Sequence, residues 1–157
     1  MLAATLPLIA NLLRTRRAGA LGTLDAGAPY VSHVACAPAA DLSHVVLLLS
    51  GLSPHTHHLH ADPRCSLLLA EPVLPDTADV LQLARLTLLG NAHPIAAAEQ
   101  ADARRIYLAH LPETEMLFTL GDFTLFRLII TGARYIGGFA RALTLTPEHL
   151  RTAAGMG

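Results

Sequence analysis

The stretch at residues 50–64, Ser-Gly-Leu-Ser-Pro-His-Thr-His-His-Leu-His-Ala-Asp-Pro-Arg, constrains the fold most because of what flanks it. One apolar run ends at residue 49 and another starts at residue 66. Both are short, apolar throughout and bounded by turn residues, which is the pattern of buried strands. Between them the pattern turns helical. Ser53 stands as N-cap and Pro54 occupies the first turn, where its missing N–H costs nothing. Leu59 faces the core, and Asp62-Pro63 stops the helix. A strand that feeds a helix N-terminus through Ser and Gly forms an anion site. Free backbone N–H groups, the hydroxyls of Ser50, Ser53 and Thr56, and the helix dipole all favour a phosphate. The same residues also suit an ordinary capped helix.

Around this stretch the chain reads as short strands and a few helices. Residues 5–18 suit an amphipathic helix with Leu6, Ile9 and Leu13 on one face, Arg14, Arg16 and Arg17 at its C-terminal end, and Gly19 as its stop. Residues 21–24 and 30–37 pair across the turn chemistry of Asp25-Ala-Gly-Ala-Pro29. Residues 44–49, 65–70 and 85–92 are further strands, the last carrying a bulge at Gly90. Residues 38–43 and 71–79 are loops, the second of them mobile. Residues 96–110 form a helix with Ala103, Ile106, Tyr107 and His110 on one side, an Asp102–Arg105 pair, and Pro112 as terminator. Residues 123–131 and 134–139 make a closing hairpin around Thr131-Gly132, and a short helix spans 147–151.

Hairpin-like connections too short for helical crossovers exclude a parallel sheet. The expected fold class is mainly β (α+β): a small six-stranded β-barrel with peripheral helices, in one domain over residues 1–157. At 52% hydrophobic and 15% charged residues, a chain of this size has more apolar surface than a monomer hides, so a homodimer is expected. A net charge of -1 and 4% aromatic residues argue against nucleic acid as a partner. Cys36 and Cys65 read as buried free thiols in a reducing compartment. The apolar N-terminus lacks a preceding basic region, and no run approaches the roughly 20 residues of a membrane span, so the expectation is cytoplasmic with no membrane partner.

With the elements laid out in this order, the chain resembles the FMN-binding split-barrel superfamily of pyridoxamine-phosphate oxidase, and more closely its HugZ-like haem-utilisation branch. The resemblance is carried by Gly19-Ala-Leu-Gly-Thr-Leu-Asp25 with Pro29-Tyr-Val-Ser32, and by Ser50-Gly-Leu-Ser-Pro-His-Thr56 with Ala61-Asp-Pro-Arg64. It continues through Arg85-Leu-Thr-Leu-Leu-Gly90, Arg104-Arg-Ile-Tyr107, Gly121-Asp-Phe-Thr-Leu-Phe-Arg-Leu128 and Gly137-Gly-Phe-Ala-Arg-Ala142. It implies a dimeric split barrel with FMN in a cleft between subunits. It puts the FMN phosphate at Ser50, Ser53, His55 and Thr56, the flavin ring along Ser32, His33 and Val34, and Arg141 near the cofactor. Three departures stand out. Pro54 and His55 occupy places where many relatives carry Lys or Arg, and His58 replaces an asparagine. A neutral histidine offers one N–H and no fixed charge, which makes phosphate affinity weaker and pH-dependent. The longer haem-handling members carry a further C-terminal domain, whereas this sequence ends soon after the barrel, which lowers the expectation of haem chemistry.

His55, His57, His58 and His60 invite a zinc site, but His33 is the only obvious addition and a closed site takes about four ligands, so no metal is expected. Arg127, alone in an apolar strand, is expected to pair with an acid such as Asp122 or Glu115 at the dimer interface, the alternative being that it reaches a ligand. No paired carboxylates and no G-x-S-x-G elbow support acid–base or hydrolase chemistry. The expected function is an FMN-binding oxidoreductase with an unassigned small-molecule substrate and catalytic residues unknown. The alternatives are a haem-binding or haem-degrading protein of the same fold, and a non-catalytic flavin-binding dimer.

Overall fold

The computed structural model describes residues 1–156. The strands are β1 (Ala18–Asp25), β2 (Ala28–Ala35), β3 (Ala37–Pro38), β4 (His44–Ser50), β5 (Arg64–Ala70), β6 (Ala84–Pro94), β7 (Phe123–Gly137) and β8 (Ala142–Leu145). The helices are α1 (Leu2–Thr15), α2 (Pro54–Ala61), α3 (Gln100–His110) and α4 (Pro147–Ala154). The strands form one antiparallel sheet in the order β2-β1-β5-β6-β7-β4-β3, with β8 beside β7.

β2 and β3 lie at opposite ends of that order, yet only Cys36 separates them in the chain. A single residue spans roughly 7 Å between its neighbours' Cα atoms, so the sheet has to curl until its two ends meet. Among the described residues, no β2–β4 hydrogen-bonded ladder closes the curl. The result is the split barrel, a mainly β fold with peripheral helices.

Alternation fills its interior. Leu21 and Val34 point inward from the first hairpin, Leu47 and Leu49 from β4, Leu67 and Leu69 from β5, Leu86 and Leu88 from β6, and Phe126 and Leu128 from β7. Each such side chain contributes about 1.5–3 kcal/mol on burial. Leu6, Ile9 and Leu13 of α1 join this core, as the helical spacing predicts. The Arg14 guanidinium donates to the Ala154 carbonyl at 2.8 Å, which ties α1 to the C-terminal end of α4. A second, smaller core lies under α3, where Ala103 and Tyr107 pack with Ile95 and Leu111 on Ala37, Val46, Leu48 and Leu125. Both cysteines remain free thiols, and burial pushes each up to about 12.

The first hairpin turns as the sequence predicts: Ala26 and Gly27 take φ of 49° and 86°, the left-handed pair of a two-residue turn. The Asp102–Arg105 pair also forms. Other boundaries differ from the sequence reading. α1 ends at Thr15, because the Arg17 carbonyl already accepts the Cys36 N–H and starts the β1–β2 ladder. Gly19 therefore lies inside β1, where a Cβ would stand 2.6 Å from the Leu68 carbonyl. A 3-10 segment, Pro112–Thr119, follows α3, and α4 extends to Ala154.

The main correction concerns Thr131-Gly132, which is no turn. β7 runs unbroken through it, and the closing hairpin is made instead by β7 and β8, a strand that the sequence reading missed. Leu89 pairs with Gly132 and Gly90 with Ile130, so Thr131 is the extra residue of a bulge and its hydroxyl donates to the Leu89 carbonyl at 3.2 Å. The predicted bulge at Gly90 and the mistaken turn are two sides of one irregularity. A Cβ on Gly90 would lie 2.1 Å from the Ile129 carbonyl oxygen, which is backbone and can move only with its strand. Gly90→Ala is expected to lower stability by roughly 1–3 kcal/mol, read as a lower urea midpoint at unchanged slope.

Candidate functional site

The seam that the sheet leaves open is where the predicted site residues gather. In the β1–β2 ladder the bond from the Cys36 N–H to the Arg17 carbonyl sets the alternation. Ser32 and Val34 therefore bond to β1, whereas Val31, His33 and Ala35 turn their N–H and C=O groups toward the open edge. Across the seam stand Leu48, Leu49 and Ser50 of β4. The gap is a cavity of about 290 Å³ lined by His33, Val34, Ala35, Leu48, Leu49, Ser50, Ser53, His55, Tyr107, Thr114, Leu117 and Phe123. Predicted residues Ser50, Ser53 and His55 thus meet His33 and Val34 in one place, and Ser32 touches His55.

The helix start is less available to an anion than its sequence suggests. Ser53 holds the N-cap position with extended backbone, but its side chain makes no capping bond. Thr56 is buried and donates its hydroxyl to the Ser50 carbonyl at 2.6 Å. The Ser50 hydroxyl donates to the Asp122 carboxylate at 3.0 Å and accepts the Leu52 N–H. Pro54 has no N–H, and the N–H groups of Ser53 and Thr56 are bonded to the carbonyls of Ser50 and Ser53. Two of the three hydroxyls are therefore committed to the protein, and a carboxylate stands beside one of them. Among the described residues, no lysine or arginine lines the cavity.

His55 is the best-positioned polar group. Its Nδ1 lies 2.9 Å from the Ser32 hydroxyl, which fixes the ring between α2 and β2 and leaves Nε2 without a partner among the described residues. Burial first, and then the charge of His58, holds its pKa below the ordinary 6.5, so the neutral imidazole is favoured. His58 stands one turn along α2 and locks onto the hairpin: its Nδ1 is 2.9 Å from the Thr23 hydroxyl, and Tyr30 packs edge-on at 5.1 Å. Among the described residues no three His, Cys, Asp or Glu side chains cluster as metal ligands would.

Two predicted residues lie elsewhere. Arg141 sits on the exposed β7–β8 turn and is not part of the cavity wall within one chain. Arg127 pairs with Glu99 at 3.1 Å instead of Asp122 or Glu115, because α3 brings its N-terminal approach over this face of β7. The sequence reading did not connect Tyr107, Thr114, Leu117, Phe123 or Asp122 with the site. Tyr107 was legible only as a helix face, and no local pattern shows that Asp122 meets Ser50. The cavity is not the largest. One of about 420 Å³ adjoins it at Leu48 and Phe123 and carries Arg104.

Residues 6–137 match the family model described as pyridoxamine 5'-phosphate oxidase. Among curated proteins, the chloroplastic heme oxygenase HOZ of Arabidopsis thaliana is 38% identical over 97 residues, which cover 62% of this chain and 28% of that protein. Among solved structures, a heme binding protein from Mycobacterium smegmatis superposes with a TM-score of 0.80 at 29% identity, over 91% of this chain and 60% of that one. The fold also matches HutZ, a heme storage protein from Vibrio cholerae, with a TM-score of 0.69 at 24% identity, over 86% of this chain and 97% of that one. The chain thus spans well under a third of the plant protein and three fifths of the mycobacterial one.

The lowered pKa values of His55 and of His44, which is also held down mainly by burial, carry a pH consequence. Above about 6.5 both rings are neutral folded or unfolded and cost nothing. As pH falls through 6.5 the unfolded chain takes up protons that the native rings resist, so stability is lost toward acid. Urea midpoints are expected to drop between pH 7 and 5, and the double variant His44→Gln with His55→Gln is expected to show a flatter profile.

Proposed function

The chain belongs to the pyridoxamine 5'-phosphate oxidase family, and we propose that, within it, this protein binds haem in the cavity at the β2–β4 seam. One observation carries this reading. His55 presents a burial-favoured neutral imidazole, oriented through Nδ1 by Ser32 and free at Nε2, on a wall otherwise made largely of Val34, Ala35, Leu48, Leu49, Leu117 and Phe123. A neutral imidazole with its second nitrogen held by a hydrogen bond is what an iron ligand needs, and an apolar wall suits a porphyrin face. His33 is the other ring nitrogen on the wall. Bound haem would supply a redox-active iron. The protein's own part is to ligate it through histidine, cover its faces with aliphatic side chains and limit water. The names of the plant and mycobacterial relatives point the same way.

FMN is the second reading. In its favour are the uncommitted Ser53 hydroxyl beside the cavity and the outward N–H and C=O groups of Val31, His33 and Ala35, which suit the polar edge of a flavin ring. Against it stand the Asp122 carboxylate on Ser50 and the absence of a cation at α2. Haem titration of purified protein is expected to give a Soret band shifted from that of free haem. His55→Ala is expected to abolish or relocate it, and His33→Ala to weaken it less. Retained flavin bands after FMN addition and desalting, with no Soret shift, would reverse the ranking.

We read residues 1–157 as one such domain, acting as a homodimer. Opposite residues of the ladders put Val31, Gly22, Ser66 and Leu89 in one row on the outside of the sheet, with Leu68 and Ile129 beside it. Val31 is 67% exposed, Leu89 50%, Ile129 49% and Leu68 40%, an apolar band across five strands where isolated sheets carry polar residues. A second copy of the chain is the occupant that the composition suggests. Leu89→Glu with Ile129→Glu is expected to shift the protein from dimer to monomer in analytical ultracentrifugation while leaving it folded. A wild-type monomer at micromolar concentration would remove this part of the reading.

A further inference from the structure

The cavity of about 420 Å³ beside the seam is walled by Leu48, Gln100, Ala101, Arg104, Phe118, Phe123, Thr124 and Leu125, and meets the smaller cavity at Leu48 and Phe123. Its one charged wall residue is Arg104, whose guanidinium lies 4.6 Å over the ring of Phe118. Stacking on an aromatic face orients the guanidinium and leaves its N–H edge free for a bidentate acceptor. That edge is unused: among the described residues Arg104 makes no hydrogen bond and no ion pair. The adjacent Arg105 holds Asp102 and Arg127 holds Glu99, whereas Arg16, Arg141 and Arg151 share the unpaired state among the described residues; what sets Arg104 apart is that it is the arginine on this cavity's wall. Nor does α3 offer it a carboxylate one turn away, because residues 100, 101, 107 and 108 are Gln, Ala, Tyr and Leu.

We infer that Arg104 receives the anionic group, carboxylate or phosphate, of the ligand whose ring system occupies the His33–His55 cavity. This rests on the reading of that cavity as the ring site, but it holds for either ligand: a haem propionate or the FMN phosphate would go to Arg104 and not to the start of α2. The chemistry at α2 supports this choice. There the Ser50 and Thr56 hydroxyls are consumed and Asp122 repels an anion, whereas Arg104 offers an unneutralised cation held in place by Phe118. Phe123, shared by both cavities, is then the apolar step between ring and anion.

The test compares ligands with and without the anion. Wild type and Arg104→Ala are titrated with haem and haem dimethyl ester, and with FMN and riboflavin. For whichever ligand binds, Arg104→Ala is expected to lose roughly ten-fold in affinity for the acid form, about the effect of one charge-assisted hydrogen bond. The ester or riboflavin is expected to bind both proteins alike. Arg104→Lys is expected to recover part of the loss, and the Soret position is expected to stay unchanged, since the histidine is untouched. Equal affinity of wild type and Arg104→Ala for the acid form, or an equal loss for the ester, would overturn the assignment while leaving the ring site intact. If wild type takes up neither haem nor FMN, the ring-site reading falls and the Arg104 assignment falls with it. Arg104 is exposed, so a matching urea midpoint for the variant confirms that it is folded.

Discussion

The one-residue link between β2 and β3 governs the rest of the structure. Because Cys36 alone joins the two ends of the strand order, the sheet cannot lie open. Its curl creates the interior that Leu21, Leu47, Leu67, Leu86 and Phe126 fill. The same curl stops short of a β2–β4 ladder, so edge backbone groups and a cavity remain at the seam. An edge strand with unpaired N–H and C=O groups is a liability at an open surface. Here it faces β4 and α2, where it lines the cavity at the seam.

Within that wall, burial and charge act in opposite directions on the two ligand chemistries. Desolvation favours neutral histidine at residue 55, which suits coordination to iron and weakens attraction for phosphate. The Ser50–Asp122 bond puts a carboxylate beside the helix start that would otherwise attract an anion through its dipole. The nearest uncommitted fixed cation on an adjoining wall is Arg104, on α3 and not on α2. On the proposed reading, ring and anion would be held from different helices, α2 and α3.

What was legible in the sequence, and what was not, follows the range of each interaction. The Ala26-Gly27 turn and the Leu6, Ile9 and Leu13 face depend on residues within one turn of each other, and both appear where expected. Thr131-Gly132 carries turn chemistry, yet it became a bulge because β6 supplies partners on both sides of it, from Phe126 to Gly137, and β8 from Ala133 to Ile136. Gly19 had the composition of a helix stop but was claimed by the β1 ladder first. The hydroxyls of Ser50 and Thr56 were recognised as a group, but their acceptors were not, since Ser50 and Asp122 stand 72 residues apart.

The sequence by itself determined the strand and helix faces, the first hairpin, the free thiols and the meeting of Ser53 and His55 at one helix start. These depend on local alternation, periodicity and turn conformation. Only the tertiary structure decided that Ser32 would orient His55, that Asp122 would take the Ser50 hydroxyl, that Arg127 would find Glu99, and that Arg104 would be left unpaired beside the seam. Each of those outcomes depends on which strands become neighbours when the sheet curls. Residue type limits what a side chain can bond to, and only the fold determines which partner reaches it.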